Sequence, residues 1–249
     1  MHGFRKKIDV VVYTMGKVGS STVSTSLKKA GLTCLDIHFW AQDRILASLK
    51  NSVEDPDIEI IPEHIIDSIL ARNALTRQGK LKIVSLIRNP IMRNISAVFQ
   101  NLPQSAAGDD ARMMERLRNY AVRTPDHWFE ADFIPTTGID VFSAKIDRSA
   151  DHYRFSTAEF DILLMKLESP DARKAELLQD FSGQAVELVR ANEAGKKWYY
   201  DVYRKIIDNP SLVRPTFVQE CLSLNYYKTF YTEDDALRLA EQFDAAACD

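Results

Sequence analysis

The residues best equipped for chemistry in this 249-residue chain stand in two short stretches, TMGKVGSST at 14–22 and IRNPIMRNISAVF at 87–99. The first follows a β-branched, almost continuously apolar run, Ile8 to Tyr13, and precedes Val23, Leu27 and Ala30, which keep helical spacing up to Gly31. Backbone N–H groups in a glycine-rich turn and at a helix N-terminus lack intrahelical partners, and the helix dipole favours negative charge beside them. A phosphate-like group would be satisfied here. Gly16 and Gly19 permit close approach of the backbone, which includes Val18; Ser20, Ser21 and Thr22 add hydroxyls, and Lys17 supplies positive charge. In a Walker loop the lysine follows the second glycine and the next hydroxyl holds magnesium. Here Lys17 stands too early, and Ser20 follows Gly19 directly. A serine-rich helix cap with a solvated lysine is the plainer alternative.

In the second stretch Arg88 ends an apolar run, Lys82 to Ile87, and Ser96 lies eight residues later. Pro90 suits the first position of a helix, and Ile91, Ile95, Val98 and Leu102 form an apolar stripe behind it. Ser96 is off that stripe. The arginine fork matches phosphate oxygens, so Arg88 and Ser96 together can grip one phosphate. Arg93 reads as a solvated helix residue. A buried ion pair for Arg88 and a back-bond to the helix for Ser96 are the structural alternatives.

These stretches need elements to position them. Ile8–Tyr13, 32–39, 82–87 and 161–167 read as strands, with helices at 40–50 and 62–78, after Pro90, and through most of the C-terminal half. A last helix opens at Thr232, with Asp235 three residues on as its capping partner. Strands alternating with helices imply a three-layer α/β architecture around a central parallel sheet, in a single domain over 1–249. A loop and polar helix span 103–123, where Arg112, Arg116, Arg118 and Arg123, with Trp128 beyond, offer charge and a ring to an anionic glycan, or simply a solvated basic face.

The early lysine, and the arginine followed by Asn-Pro and a serine eight positions on, resemble the two phosphate-binding segments of sulfotransferases. HWFEADFIPTTGIDVF (127–142) and NEAGKKWYYDVYRKI (192–206) resemble segments of the capsular polysaccharide synthesis family, a bacterial branch with the P-loop-like sulfotransferase fold. The resemblance implies a donor, 3′-phosphoadenosine-5′-phosphosulfate (PAPS), with PAP as product and a carbohydrate hydroxyl as acceptor. Gly16 to Thr22 would take the 5′-phosphosulfate, Arg88 and Ser96 the 3′-phosphate, and Lys17 the charge growing on the bridging oxygen. Related enzymes carry a histidine or glutamate base after the second strand, which points to His38; Glu63, His64 and His127 are substitutes. Asp36, two residues earlier on the same strand face, is expected to orient His38 or stabilise its charge. Tyr199, Val202, Tyr203 and Ile206 share one helical face and read as core, while Lys196 and Lys197 start that helix and could close over the 3′-phosphate.

Bulk composition narrows the field. With 45% hydrophobic and 27% charged residues and a net charge of −3, the chain has an ordinary globular make-up. A nucleic-acid or anionic-membrane binder usually presents a basic surface, so any anion site is local. Three scattered cysteines, Cys34, Cys221 and Cys248, form neither a disulfide framework nor a metal cluster, which suits a cytoplasmic protein without bound metal. No run approaches the ~20 apolar residues of a membrane span. Two other functions remain open at this stage: a P-loop kinase or NTPase, and a non-catalytic PAPS- or PAP-binding module.

Overall fold

A computed structural model describes residues 6–55, 60–99, 109–189, 191, 199–208 and 212–235. It divides into two compact units interleaved along the chain: residues 1–87, 128–140 and 151–191 form the first, and 88–127, 141–150 and 192–249 the second.

The first unit is built on a five-stranded sheet of order β2-β1-β3-β5-β4. Its strands are β1 (Val10–Tyr13), β2 (Cys34–Ile37), β3 (Leu81–Ile87), β4 (His152–Ser156) and β5 (Phe160–Lys166). β1 pairs in parallel with β2 and β3, and β3 with β5. All four residues of β1, and all of β3 except Lys82, are buried, as expected of strands covered on both faces. β4 alone is antiparallel, with Tyr153 opposite Leu164. HYRFS is short and half polar, a composition that gives little strand signal and is how an edge strand is composed. Between the strands run α1 (Ser20–Lys29), α2 (Gln42–Glu54) and α3 (Glu63–Gln78), and α8 (Asp171–Ser182) follows β5.

Residues 128–140 complete this unit through a π-helical turn, Phe129–Phe133, followed by α7 (Ile134–Thr137). Trp128, Phe129 and Phe133 are buried, and the Tyr13 ring lies 5.0 Å from Trp128 and 5.9 Å from Phe133. Burial removes Trp128 from the rings open to a glycan. At the centre is Asp132, fully buried. One of its oxygens accepts from the Tyr13 hydroxyl, from Trp40 N–H at 2.7 Å and from Ala41 N–H at 3.3 Å; the other lies 3.3 Å from Arg44 Nε. Burial holds this carboxyl above the usual carboxylate range, against the pull of those donors.

The second unit is helical: α4 (Pro90–Val98), α5 (Asp110–Arg118), α6 (Thr124–Trp128, whose last residue belongs to the first unit), α9 (Tyr200–Asp208), α10 (Pro215–Ser223) and α11 (Asn225–Phe230). Pro90 occupies the first turn of α4, and Asn89 caps it by accepting from Ile91 N–H at 3.0 Å. Ile91, Ile95 and Val98 pack with Phe99, Met113, Leu117, Ile206 and Phe217. Tyr199 stacks on Phe99 at 5.0 Å, so the face expected to be core is core. Arg93 is not solvated: it is 4% exposed and donates to Asn94 Oδ1 at 2.8 Å and the Tyr120 hydroxyl at 3.2 Å. Arg112, Arg116, Arg118 and Arg123 are exposed. Thr232 and Asp235 cap one another, as their spacing predicts.

Cys34 and Cys221 are buried free thiols, each pushed up to about 12 by burial. Cys248, Leu102, Lys196 and Lys197 lie outside the described residues. Among the described residues no helix is long and apolar enough to cross a membrane, and no group of three ligating side chains could hold a metal. Ile83 is fully buried in β3. Truncation to alanine is expected to cost about 2–5 kcal/mol, read as a lowered urea midpoint with an unchanged slope.

Candidate active site

In the first unit the chain runs from β1 to its neighbour β2, then crosses to β3 on the other side of β1. Open α/β sheets bind ligands outside the carboxyl ends of the strands at such a reversal. The loop 14–19 leaves β1 there. Met15 and Val18 anchor it with buried side chains, so Val18 can offer a ligand only its backbone. Lys17 and Gly19 adopt left-handed backbone, φ 72° and 85°, and Lys17 is the one non-glycine to do so among the described residues. Such strain in an L residue costs roughly 1–2 kcal/mol and tends to mark functional loops.

Gly19 is constrained twice. A Cβ on it would stand 2.7 Å from Leu167 Cδ1, and Leu167 in turn donates its N–H to Ile87 O at 2.8 Å, just past the ends of β5 and β3. Gly19 opens α1, whose first turn carries no acidic residue and whose N-terminus no side chain caps. An anion suits those N–H groups and the dipole behind them. Ser20 and Ser21 stand half-buried in that turn. Thr22 is otherwise engaged: its hydroxyl donates to Ala191 O at 3.3 Å and accepts from Ala191 N–H at 3.4 Å, while Ser26 Oγ accepts from Val189 N–H at 2.9 Å. These hydroxyls therefore brace α1 against Val189 and Ala191, and that of Thr22 is not turned to a ligand.

His38 follows β2. Its Nδ1 lies 2.9 Å from Thr14 O, and a carbonyl can only accept, so Nδ1 carries the proton and the neutral ring keeps a lone pair on Nε2. That tautomer is the one a general base needs. Trp128 Nε1–H donates to His38 O at 2.9 Å. Orientation thus comes from the Thr14 carbonyl and not, as expected, from Asp36. The Asp36 carboxylate accepts from Ser24 Oγ at 3.0 Å, and its own N–H donates to Asp67 Oδ2 at 2.9 Å. Burial pushes the Asp36 carboxyl above its ordinary range, against the attraction of His38.

Of the substitute bases, His64 lies ring to ring with His38 at 5.2 Å, and burial together with His38 lowers its pKa. Glu63 is exposed and pairs with Lys28 at 3.6 Å. His127 is exposed on α6.

In the second unit Arg88 Nη1 donates to Ser96 Oγ at 2.9 Å, so the eight-residue spacing is a physical contact. Nη2 reaches the Tyr203 hydroxyl at 3.5 Å. The Tyr226 hydroxyl clamps the arginine backbone, donating to Arg88 O and accepting from Arg88 N–H, both at 2.8 Å. Asp126 holds Tyr226 in turn, accepting its N–H at 2.8 Å. Two hydroxyls and a guanidinium beside a clamped backbone make a donor-rich place for a phosphate. Sequence reasoning assigned Tyr203 to the core and did not single out Tyr226. Helical spacing predicts which face a tyrosine occupies, but not where its hydroxyl ends.

Residues 112–232 match the model of a family described as Putative capsular polysaccharide synthesis protein. No curated protein matches the chain. The matched region contains Asp126, Trp128, Asp132, Tyr203 and Tyr226, but neither the 14–19 loop nor Arg88 and Ser96.

Gly19 and Gly31 share φ 85°, yet nothing lies within 4 Å of a Cβ on Gly31. Gly31→Ala is expected to cost only the left-handed penalty, roughly 1–2 kcal/mol. Gly19→Ala must displace Leu167 as well, and its denaturation midpoint should fall further than that of Gly31→Ala.

Proposed function

We propose that the protein is a sulfotransferase, moving a sulfuryl group from PAPS to a hydroxyl of a carbohydrate acceptor. The observation that carries the reading is the Arg88–Ser96 contact at 2.9 Å, a ready-made grip for a phosphate monoester in a chain whose phosphate-type loop lacks the Walker lysine. Lys17, the uncapped start of α1 and the half-buried Ser20 and Ser21 would hold the 5′-phosphosulfate. Arg88 and Ser96 would hold the 3′-phosphate. The donor supplies an activated sulfate ester; the protein supplies position and charge.

In the reaction the acceptor oxygen bonds to sulfur as the bond from sulfur to the 5′-phosphate oxygen breaks. The acceptor proton passes to His38 Nε2, the nitrogen left unprotonated by the Thr14 contact. The leaving oxygen keeps the electron pair beside Lys17. The polysaccharide-related family match supports a sugar as acceptor. The rival reading is a magnesium–nucleotide enzyme, but Ser20 stands where a Walker loop carries its lysine.

Two measurements separate these readings. PAP is expected to raise the melting temperature without added metal, and 35S-labelled PAPS should transfer label to members of a glycan panel. Lys17→Ala should lower turnover about 100-fold or more, as loss of a charge-stabilising donor does, and Ser96→Ala should weaken PAP about 10-fold or more. Stabilisation by Mg-ATP and not by PAP would sink the proposal in favour of a kinase or NTPase. PAP binding with no transfer to any acceptor would leave a binding module.

A further inference from the structure

We infer that the π-helical turn Phe129–Phe133 and Trp128 before it form the clamp that fixes His38, with Trp128 and Asp132 as positioning residues for the general base. The inference rests on the reading of His38 as that base, and it gives a role to the HWFEADF segment, which the proposed reaction does not otherwise use.

The contacts that hold His38 connect to one another within the first unit. His38 is held on its side chain by Thr14 O and on its own carbonyl by Trp128 Nε1–H, each at 2.9 Å. Both holders trace back to the same turn. Thr14 follows Tyr13, whose hydroxyl is bound by Asp132 and whose ring lies 5.0 Å from Trp128. On the other side of His38, the backbone N–H groups of Trp40 and Ala41 end on the same Asp132 oxygen. The strand end that orients the imidazole and the loop that carries it are therefore tied to one buried carboxylate, and Arg44 balances its charge.

A buried carboxylate that merely filled space would be costly, since desolvation is offset only by close donors. Asp132 has donors from β1, from the loop after β2 and from α2. A local π-helical turn, itself uncommon and frequent at functional sites, is what aims it there. Loss of one contact would leave the sheet intact and let the imidazole turn. A free imidazole exchanges its two tautomers, and only the Nδ1–H form presents a base at Nε2.

The test uses the full chain with 15N-labelled histidine, where long-range proton–nitrogen spectra report the tautomer of each ring directly. His38→Gln identifies the His38 signals by their loss. In the wild type His38 should show Nδ1–H with an unprotonated Nε2. Trp128→Phe, which keeps an aromatic ring and removes the donor, and Asp132→Asn, which keeps the shape and removes the charge, should each mix the His38 tautomers. Both should lower kcat about 10-fold with the KM for PAPS unchanged, while the His127 signals stay fixed. If both variants fold and His38 keeps its wild-type tautomer, the clamp is refuted. If the tautomer shifts but the wild type transfers sulfate to no acceptor, the clamp stands and the sulfotransferase reading falls.

Discussion

At Gly19, where the loop from β1 passes into α1, the backbone packs directly on Leu167, and an added Cβ would make that side chain shift. Gly19 faces Leu167 so closely that a methyl group would overlap it, and Leu167 is fastened to the end of β3. The buried Lys174 adds a further tie, donating to Leu167 O at 2.8 Å. The start of α1, the end of β3 and the end of β5 are therefore set against one another at the carboxyl edge of the sheet. An anion loop needs this kind of rigidity, because its donors are backbone groups that can be aimed only by fixing the backbone.

The polar side chains of the first unit follow a division of labour along α1. Ser24 faces the Asp36 carboxylate, while Thr22 and Ser26, one helical turn apart, receive the backbone N–H groups of Ala191 and Val189. The helix is held to the sheet and to a later part of the chain by hydroxyls. Its first turn is left without acidic side chains. Burial pushes Asp36, Asp67 and Asp132 all above their ordinary carboxylate range. Negative charge is thus costly in this unit except where a specific donor meets it.

What was legible in the sequence was whatever depends on short-range pattern. β1, β3 and β5 are nearly continuous apolar runs, Pro90 marks the start of α4, and Thr232 with Asp235 mark a cap; the structure contains each of them. The Arg88–Ser96 spacing also became a contact, because eight residues across a strand-to-helix turn bring the two side chains together. What stayed hidden depends on the tertiary fold. Arg93 sits at a position that helical periodicity leaves ambiguous, and the Tyr120 hydroxyl that receives it is 27 residues away. Asp132 was one acidic residue among 35 until the turn carried it to Tyr13, 119 residues distant. The orientation of His38 falls to a backbone carbonyl, a partner that sequence letters do not encode.

The interleaving of the two units has a consequence for the chain as it is made. β3 ends at Ile87, but the strand that covers its free edge begins at Phe160, and Asp132 arrives in between. A ribosome delivers only about 5–20 residues each second, so for some seconds the nascent chain carries β1, β2 and β3 with an open, strongly apolar edge and no closing partner. Such an edge is a template for pairing with other chains. β4, short and half polar, later takes the outer position and leaves an edge of a safer kind. Synthesis at high concentration therefore places a premium on a chaperone that shields β3 until residue 166 has emerged.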